Sequence, residues 1–324
     1  MVGIVRDQFG RICNAVNGLL ESCCRYRRDW TTLSDEEKFR YINAVKTVSS
    51  DTSYTQLYNK LIDRYRQSFT SDIQLLNASI SQFIPWHRYF LLEYENLLRL
   101  VDSSITIPYW DWTVRLRDPY SVPVFDPTLG FGNSANETTL CVSSGPFQEG
   151  QFNVTPSAGG GCLMREYGDS IRFPTRALIE NQFLSIPANM FDDFHNAIFQ
   201  FVNLVVRCTV GGHMCTVNAA NDPLYLLQLA RVDFTVDRWQ NLDESRTNVR
   251  YASDTTPLEL TFDRTLLVSD FSGNKDLPYG VCVQYSALRP VVEEPTTDGS
   301  GLELESESQL LSNPTQTPIP SGVR

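Results

Sequence analysis

Histidine is nearly missing from this chain: 324 residues contain three, His87, His195 and His213. A metal site built from helix-borne imidazoles needs several of them converging, so the shortage limits metal chemistry from the start. Basic charge is also scarce. Lys and Arg number 27 against 38 Asp and Glu, a net charge of −11. Nucleic-acid binding needs clustered cations against phosphate and is not expected. No run approaches 18 uninterrupted apolar residues, so no membrane span is expected. Residues 1–20 carry Arg6, Asp7 and Arg11, which leaves no apolar signal-peptide core. Paired CxxC spacings of the zinc type are absent, and no internal repeat is found.

What is present suits a large folded domain with extensions. The chain is 42% hydrophobic and 20% charged, enough to bury a sizeable core. Eight cysteines (13, 23, 24, 141, 162, 208, 215 and 282) are even in number. Three sequons, at Asn77, Asn136 and Asn153, accompany them. Together they indicate a secreted, oxidised glycoprotein, here a processed chain with an added Met. Cys141 and Cys162 could close a long loop, and Cys208 and Cys215 a short one. Eight cysteines otherwise allow 105 pairings. Past residue 290, Glu293, Glu294, Asp298, Glu303, Glu305 and Glu307 face only Arg324. That stretch is rich in Pro, Ser, Thr and Gly and lacks an apolar period, so an acidic disordered tail is expected.

The periodicity is mainly helical. Ser34-Asp-Glu-Glu37 is a capping box opening a helix to about Ser49, with Phe39, Ile42, Val45 and Val48 inward. Leu57, Leu61 and Tyr65 mark a second helix over 54–68. A third spans 83–101, with Phe90, Leu91, Tyr94, Leu97, Leu98 and Val101 inward. Residues 113–172 are loop-like, with Gly, Pro, Ser and Asn throughout. Two further helices are expected at about 187–206 and 222–241. LELTF, LLVSD and GVCVQY, within 258–285, alternate as short strands would.

Several segments, in order, resemble the tyrosinase family of dicopper oxidases in its secreted animal form. RYRRDWTTLSDEEKFRYINAVKTV is similar to that family's entry helix. FIPWHRYFLLEYE resembles the helix carrying the last ligand of the first copper, and IPYWDWT the signature after it. GFGN at 130–133, GPF at 145–147 and CLMR at 162–165 follow across the loop. MFDDFHNAIF with GGHM at 211–214 resembles the helix and turn of the second copper. DPLYLLQLARVDFTVDRWQ resembles its final ligand helix, and GVCVQY the closing tyrosine-rich strand. The resemblance implies a mainly α fold: a tyrosinase-like core four-helix bundle with long decorated loops and a few short β-strands. It divides the chain into an N-terminal extension (1–23), a tyrosinase-like domain (24–288) and the acidic tail (289–324).

In that family three histidines hold each copper, and the resemblance assigns the positions here. His87 matches the third ligand of the first copper. The second position is Ala78, and the first lies near Leu61 or Tyr65. For the second copper His195 matches, Phe199 stands one turn on, and Gln228 with Leu229 replaces the final histidine pair. Two of six positions are histidine. A dication with so few ligands would not offset its desolvation, whereas an inward Phe199 would contribute about 1.5–3 kcal/mol.

The expectation is therefore a secreted pseudoenzyme without a dicopper site, acting as a binding, matrix or assembly protein. Its partner would be an extracellular protein, a matrix, or an active tyrosinase paralogue. No cofactor is expected. One alternative is an oxidoreductase acting on phenols or catechols, with copper or zinc at low occupancy on His87, His195 and Gln228. The other is a carrier of a small apolar or phenolic ligand in the vacated cavity. His213 is expected on a surface turn, and Asp192 and Asp193 at a helix N-terminus. Asp233 and Arg238 should form structural ion pairs. Trp86, Tyr109, Trp110, Trp112 and Trp239 should be core aromatics.

Overall fold

Helix starts are written in short side chains. In the computed structural model, Ser34 accepts from the Glu37 amide while Glu37 accepts from the Ser34 amide. This reciprocal cap opens α1 (Asp35–Ser50). Replacing Ser34 with Ala is expected to cost about 1 kcal/mol, read as a lower urea midpoint at unchanged slope. α2 covers Thr55–Thr70 and α3 Phe83–Val101. Pro85 is tolerated in α3 because it falls in the first turn, where no amide partner is needed. The next helix begins as α4 (Phe191–Ala197), widens into a π segment (Ile198–Val205) and closes as α5 (Val206–Val210). α6 (Pro223–Gln240) starts with Pro223 in its first turn, and the Asp222 carboxylate accepts from the Leu224 amide.

The structure describes residues 3–6, 12–16, 19–70, 80–114, 120, 123–167, 173–247 and 249–289, with backbone only for 3–23 and 69–70. These fall in a compact unit spanning Met1–Pro290. Ala78, Asn77 and the acidic tail lie outside the described residues. α2, α3, α6 and the α4–π run form the core bundle, and α1 packs against α2 and α3. Trp86, Tyr109, Trp110, Trp112 and Trp239 are all buried in it. The fold is mainly α, as the periodicity implies.

Three expectations fail, each for a physical reason. Phe39 and Leu57 match the apolar spacing yet are exposed; Tyr41, Ala44 and Tyr58 take the inward places. LELTF and LLVSD are not strands. Leu258, Leu266 and Val268 are buried, but Leu260 adopts a left-handed φ of 53°, and only the Pro257–Leu267 bridge joins the two pieces. Their alternation reflects anchoring of coil to the core rather than pairing. Within 258–285 the strand is β4 (Cys282–Tyr285). The N-terminus, expected as a mere extension, supplies β1 (Gly3–Arg6), β2 (Ile12–Val16) and β3 (Leu19–Arg27). These run antiparallel in order, and β3 pairs parallel with β4. Cys24 stands opposite Cys282 in that pairing and is disulfide-bonded to it.

A buried ionic chain ties sheet to bundle. Arg25 and Arg27 on β3 donate to Glu95 of α3 at 2.8 and 3.2 Å, and the Ile107 amide adds a bond of 2.8 Å. Arg27 also lies 3.7 Å from Asp233 of α6, which binds Arg88 of α3 at 2.6 Å. Tyr285 on β4 donates to the same carboxylate at 2.7 Å. Asp233 thus has the structural ion pairing expected of it. Arg238 pairs with Glu180 at 3.2 Å at the surface.

Candidate functional site

α3 carries His87 into the bundle on the same face as Phe83, one turn earlier. The His87 Nδ1 lies 2.7 Å from the Phe83 carbonyl and so takes the donor role. This leaves Nε2 as the acceptor, 3.3 Å from the Tyr225 hydroxyl of α6. Tyr65 of α2 packs its ring 5.2 Å from Tyr225 and 6.5 Å from His87. Opposite, α4 brings in His195. The Phe83 ring packs against both imidazoles, with centroids 4.5 Å from His87 and 5.2 Å from His195. Phe199 joins them, 5.3 Å from Phe83 and stacked on His195 at 6.5 Å.

The polar positions around this cluster are employed differently. Gln228 is fully buried and donates its amide to the Val202 carbonyl at 2.6 Å. Val202 lies in the π segment, so the glutamine braces that widened turn against α6. Leu229, four residues after Tyr225, shares the tyrosine's face and is fully buried. Arg207 of α5 places its guanidinium 5.2 Å from the Tyr225 ring centre, and donates to the Met214 and Thr216 carbonyls at 2.8 Å each. Among the described residues, no set of three His, Cys, Asp or Glu donor atoms within 4.8 Å of one another includes His87 or His195.

The family model for the common central domain of tyrosinase matches residues 61–242, which run from α2 through α6. The chain belongs to the tyrosinase family. Tyrosinase from Streptomyces lincolnensis is 31% identical over 255 residues, covering 74% of this chain and 90% of that protein. The tyrosinase-like protein phomQ1 of Diaporthe leptostromiformis is 32% identical over 256 residues, 67% of this chain and 62% of its own length. Two solved structures share the fold at 18% identity. A polyphenol oxidase from Thermothelomyces thermophila superposes with TM-score 0.58, covering 82% of this chain and 89% of that one. A functional unit of octopus hemocyanin gives TM-score 0.55, covering 81% and 68%.

Within this tyrosinase-family bundle, Phe83 contacts His87, His195 and Phe199, and Tyr65 packs near His87 from α2. Gln228 turns to the π segment instead. His213 needs correction: it is buried, not on the surface. Its Nδ1 accepts from the Met164 amide at 2.9 Å while its own amide donates to the Met164 carbonyl at 3.0 Å. The turn can press that closely because Gly212, at a left-handed φ of 55°, has no Cβ; one there would sit 2.2 Å from the Met164 carbonyl oxygen. Cys141–Cys162 and Cys208–Cys215 both form. Asp192 and Asp193 occupy the first turn of α4. Three cluster members were not foreseen. Phe83 and Tyr225 were legible as i, i+4 partners of His87 and Leu229; nothing in the local pattern signals Arg207.

Both imidazoles are held neutral. Burial pushes His87 down to about 3, the Arg207 charge adding to this and the Phe83 carbonyl opposing it. Burial likewise takes His195 to about 4, and neighbouring Asn196 and Asp192 offset only part. In the unfolded chain both titrate near 6.5, so unfolding gains protons below that value. The stability contributed by the two neutral rings is complete above pH ~6.5 and is lost as pH falls toward 4 and then 3. The loss is about 1.4 kcal/mol per pH unit for each ring. Urea midpoints at pH 7 and pH 5 should differ accordingly, and His195→Leu should shrink the difference. Equal midpoints would contradict a buried neutral pair.

Proposed function

We propose that this tyrosinase-family chain does not assemble a dicopper centre, and that its fold serves outside the cell as a binding, matrix or assembly module. One observation carries the proposal. Two buried imidazoles reach the bundle interior, and the ring packed against both is the hydrocarbon of Phe83. Copper cycling between oxidation states needs several nitrogen donors on rigid helices. Tyr65, Phe199 and Leu229 offer none of that kind, and Gln228 has its amide nitrogen bonded to Val202 and presents only an amide oxygen. The Arg207 cation beside Tyr225 further disfavours a dication there.

The extracellular part rests on the Cys24–Cys282, Cys141–Cys162 and Cys208–Cys215 disulfides, which persist in oxidising compartments. No helix among the described residues is long and apolar enough to cross a membrane. The strongly acidic balance suits a matrix or an extracellular partner protein, an active paralogue of the family included, better than an anionic one.

Metal analysis and a catechol assay test the reading. The purified chain, incubated with copper and dialysed, is expected to retain far less than one copper per molecule and to form no quinone from L-DOPA. Two coppers per chain with quinone formation would refute it. One tightly held metal with turnover would instead favour a mononuclear oxidoreductase on His87 and His195.

A further inference from the structure

We infer that Asn136 and Asn153 carry N-linked glycans, and that the fold sets the order: Asn136 can be modified in the folded chain, whereas Asn153 must be modified before folding. The inference rests on the extracellular reading above, since it needs passage through a compartment holding a lipid-linked oligosaccharide.

Transfer to a sequon requires the Asn amide and the Thr two residues later to be presented together. At Asn136 the folded chain already presents them. The Asn136 Oδ1 accepts from the Thr138 and Thr139 amides at 2.9 Å each, an Asx turn. Asn136, Glu137 and Thr138 are all exposed. Nδ2 donates to no described residue and faces water.

Asn153 is exposed as well, but its threonine is locked away. Thr155 is 3% exposed. Its hydroxyl donates to the Asn221 Oδ1 at 2.9 Å, and its amide to the same oxygen at 2.8 Å. Asn221 immediately precedes Asp222, which accepts both arms of Arg165 at 2.7 Å with neither side chain exposed. Freeing Thr155 therefore means opening a buried ion-paired region, not swinging a loop. Attachment at Asn153 has to precede this closure.

The step is a group transfer without redox change. Nδ2 attacks the anomeric carbon of an oligosaccharide carried on a lipid pyrophosphate. The C–N bond forms, the C–O bond to pyrophosphate breaks, the lipid pyrophosphate leaves, and Nδ2 loses one proton.

Two experiments test this. The full chain, passed through a eukaryotic secretory host, should lose two or more glycan masses on treatment with peptide N-glycosidase. Thr138→Ala and Asn153→Gln should each remove one, and both replace exposed side chains, so folding is retained. A second sample, refolded without sugar and with its disulfides closed, is given to oligosaccharyltransferase and a lipid-linked donor. Asn136 should be modified and Asn153 should not, until reduction and denaturation release Thr155. A chain that leaves the host bare overturns the inference; modification of Asn136 in the tube would then place the fault in the cellular route and not in the site. Equal modification of Asn136 and Asn153 in the folded sample would overturn the order.

Discussion

Glu95→Ala is expected to destabilise the protein by about 3–5 kcal/mol, a large part of the roughly 5–15 kcal/mol of an ordinary domain. The carboxylate is fully buried and faces two arginines, themselves nearly inaccessible. Burial alone would raise its pKa; Arg27 and Arg25 outweigh that and hold it down at about 2. Removing the acid leaves two buried cations with only Asp233, 3.7 Å from Arg27, to offset them, and strips the Ile107 amide of its acceptor. The damage should spread. Arg27 also leans on Asp233, which holds Arg88 and Tyr285, so β3, α3, α6 and β4 are joined through one chain of charges. Urea unfolding followed by tryptophan fluorescence gives the measurement. A loss below about 1 kcal/mol would show that the network adds little. Acid should reproduce the effect in wild type: a carboxylate depressed in the folded state stabilises fully above about pH 4.5 and loses that contribution as pH falls toward 2.

Phe83→Ala is the second large effect, again about 3–5 kcal/mol, from lost burial plus the void left behind. The ring touches His87 on its own helix and His195 and Phe199 on the facing one. Collapse across that gap would force α3 toward α4, so little of the void should close. The resulting hole would be lined by aromatic rings and two neutral imidazoles. Benzene or phenol should enter it and restore part of the melting temperature, as small apolar molecules do in dry engineered cavities. Wild type should show no such shift. A thermal shift of the unaltered protein by phenol would instead favour the carrier alternative, because it would mean the space between the histidines is open.

Much of the fold was legible because helix periodicity and caps are local signals. Ser34 and Glu37 mark α1 within one residue of its start, and a 3.6-residue count finds Phe90, Leu91, Tyr94, Leu97 and Leu98 of α3, though its first ten residues are buried all round and Val101 only partly. The failures have a common origin in tertiary context. The apolar residues at 258–270 mimic strands because Leu258, Leu266 and Val268 anchor a loop to the core. Phe39 and Leu57 fit an apolar stripe, yet no neighbouring element covers them. β3 could not be read because β4, its partner on one side, lies more than two hundred residues away, and β1 and β2 build onto β3 in turn. At the candidate site, the positions facing the cavity followed from the family pattern. What fills them did not. The turn of Gln228 toward Val202 depends on the widened π turn, for which no single-residue signal exists, and the contacts of Phe83 with His195 and of Arg207 with Tyr225 join different helices. His213 is buried for a similar reason: the Met164 segment, distant in sequence, docks on the turn.

The Cys24–Cys282 bond has a mechanical corollary. It joins the first long strand to the last one, across a sequence separation of 258 residues. Tension applied to the two ends of the polypeptide would travel through this clasp and bypass everything between. The helices would stay slack under a load strong enough to unravel an unclasped protein. A molecule anchored at both ends in a strained matrix would keep its interior intact until the sulfur bridge is reduced.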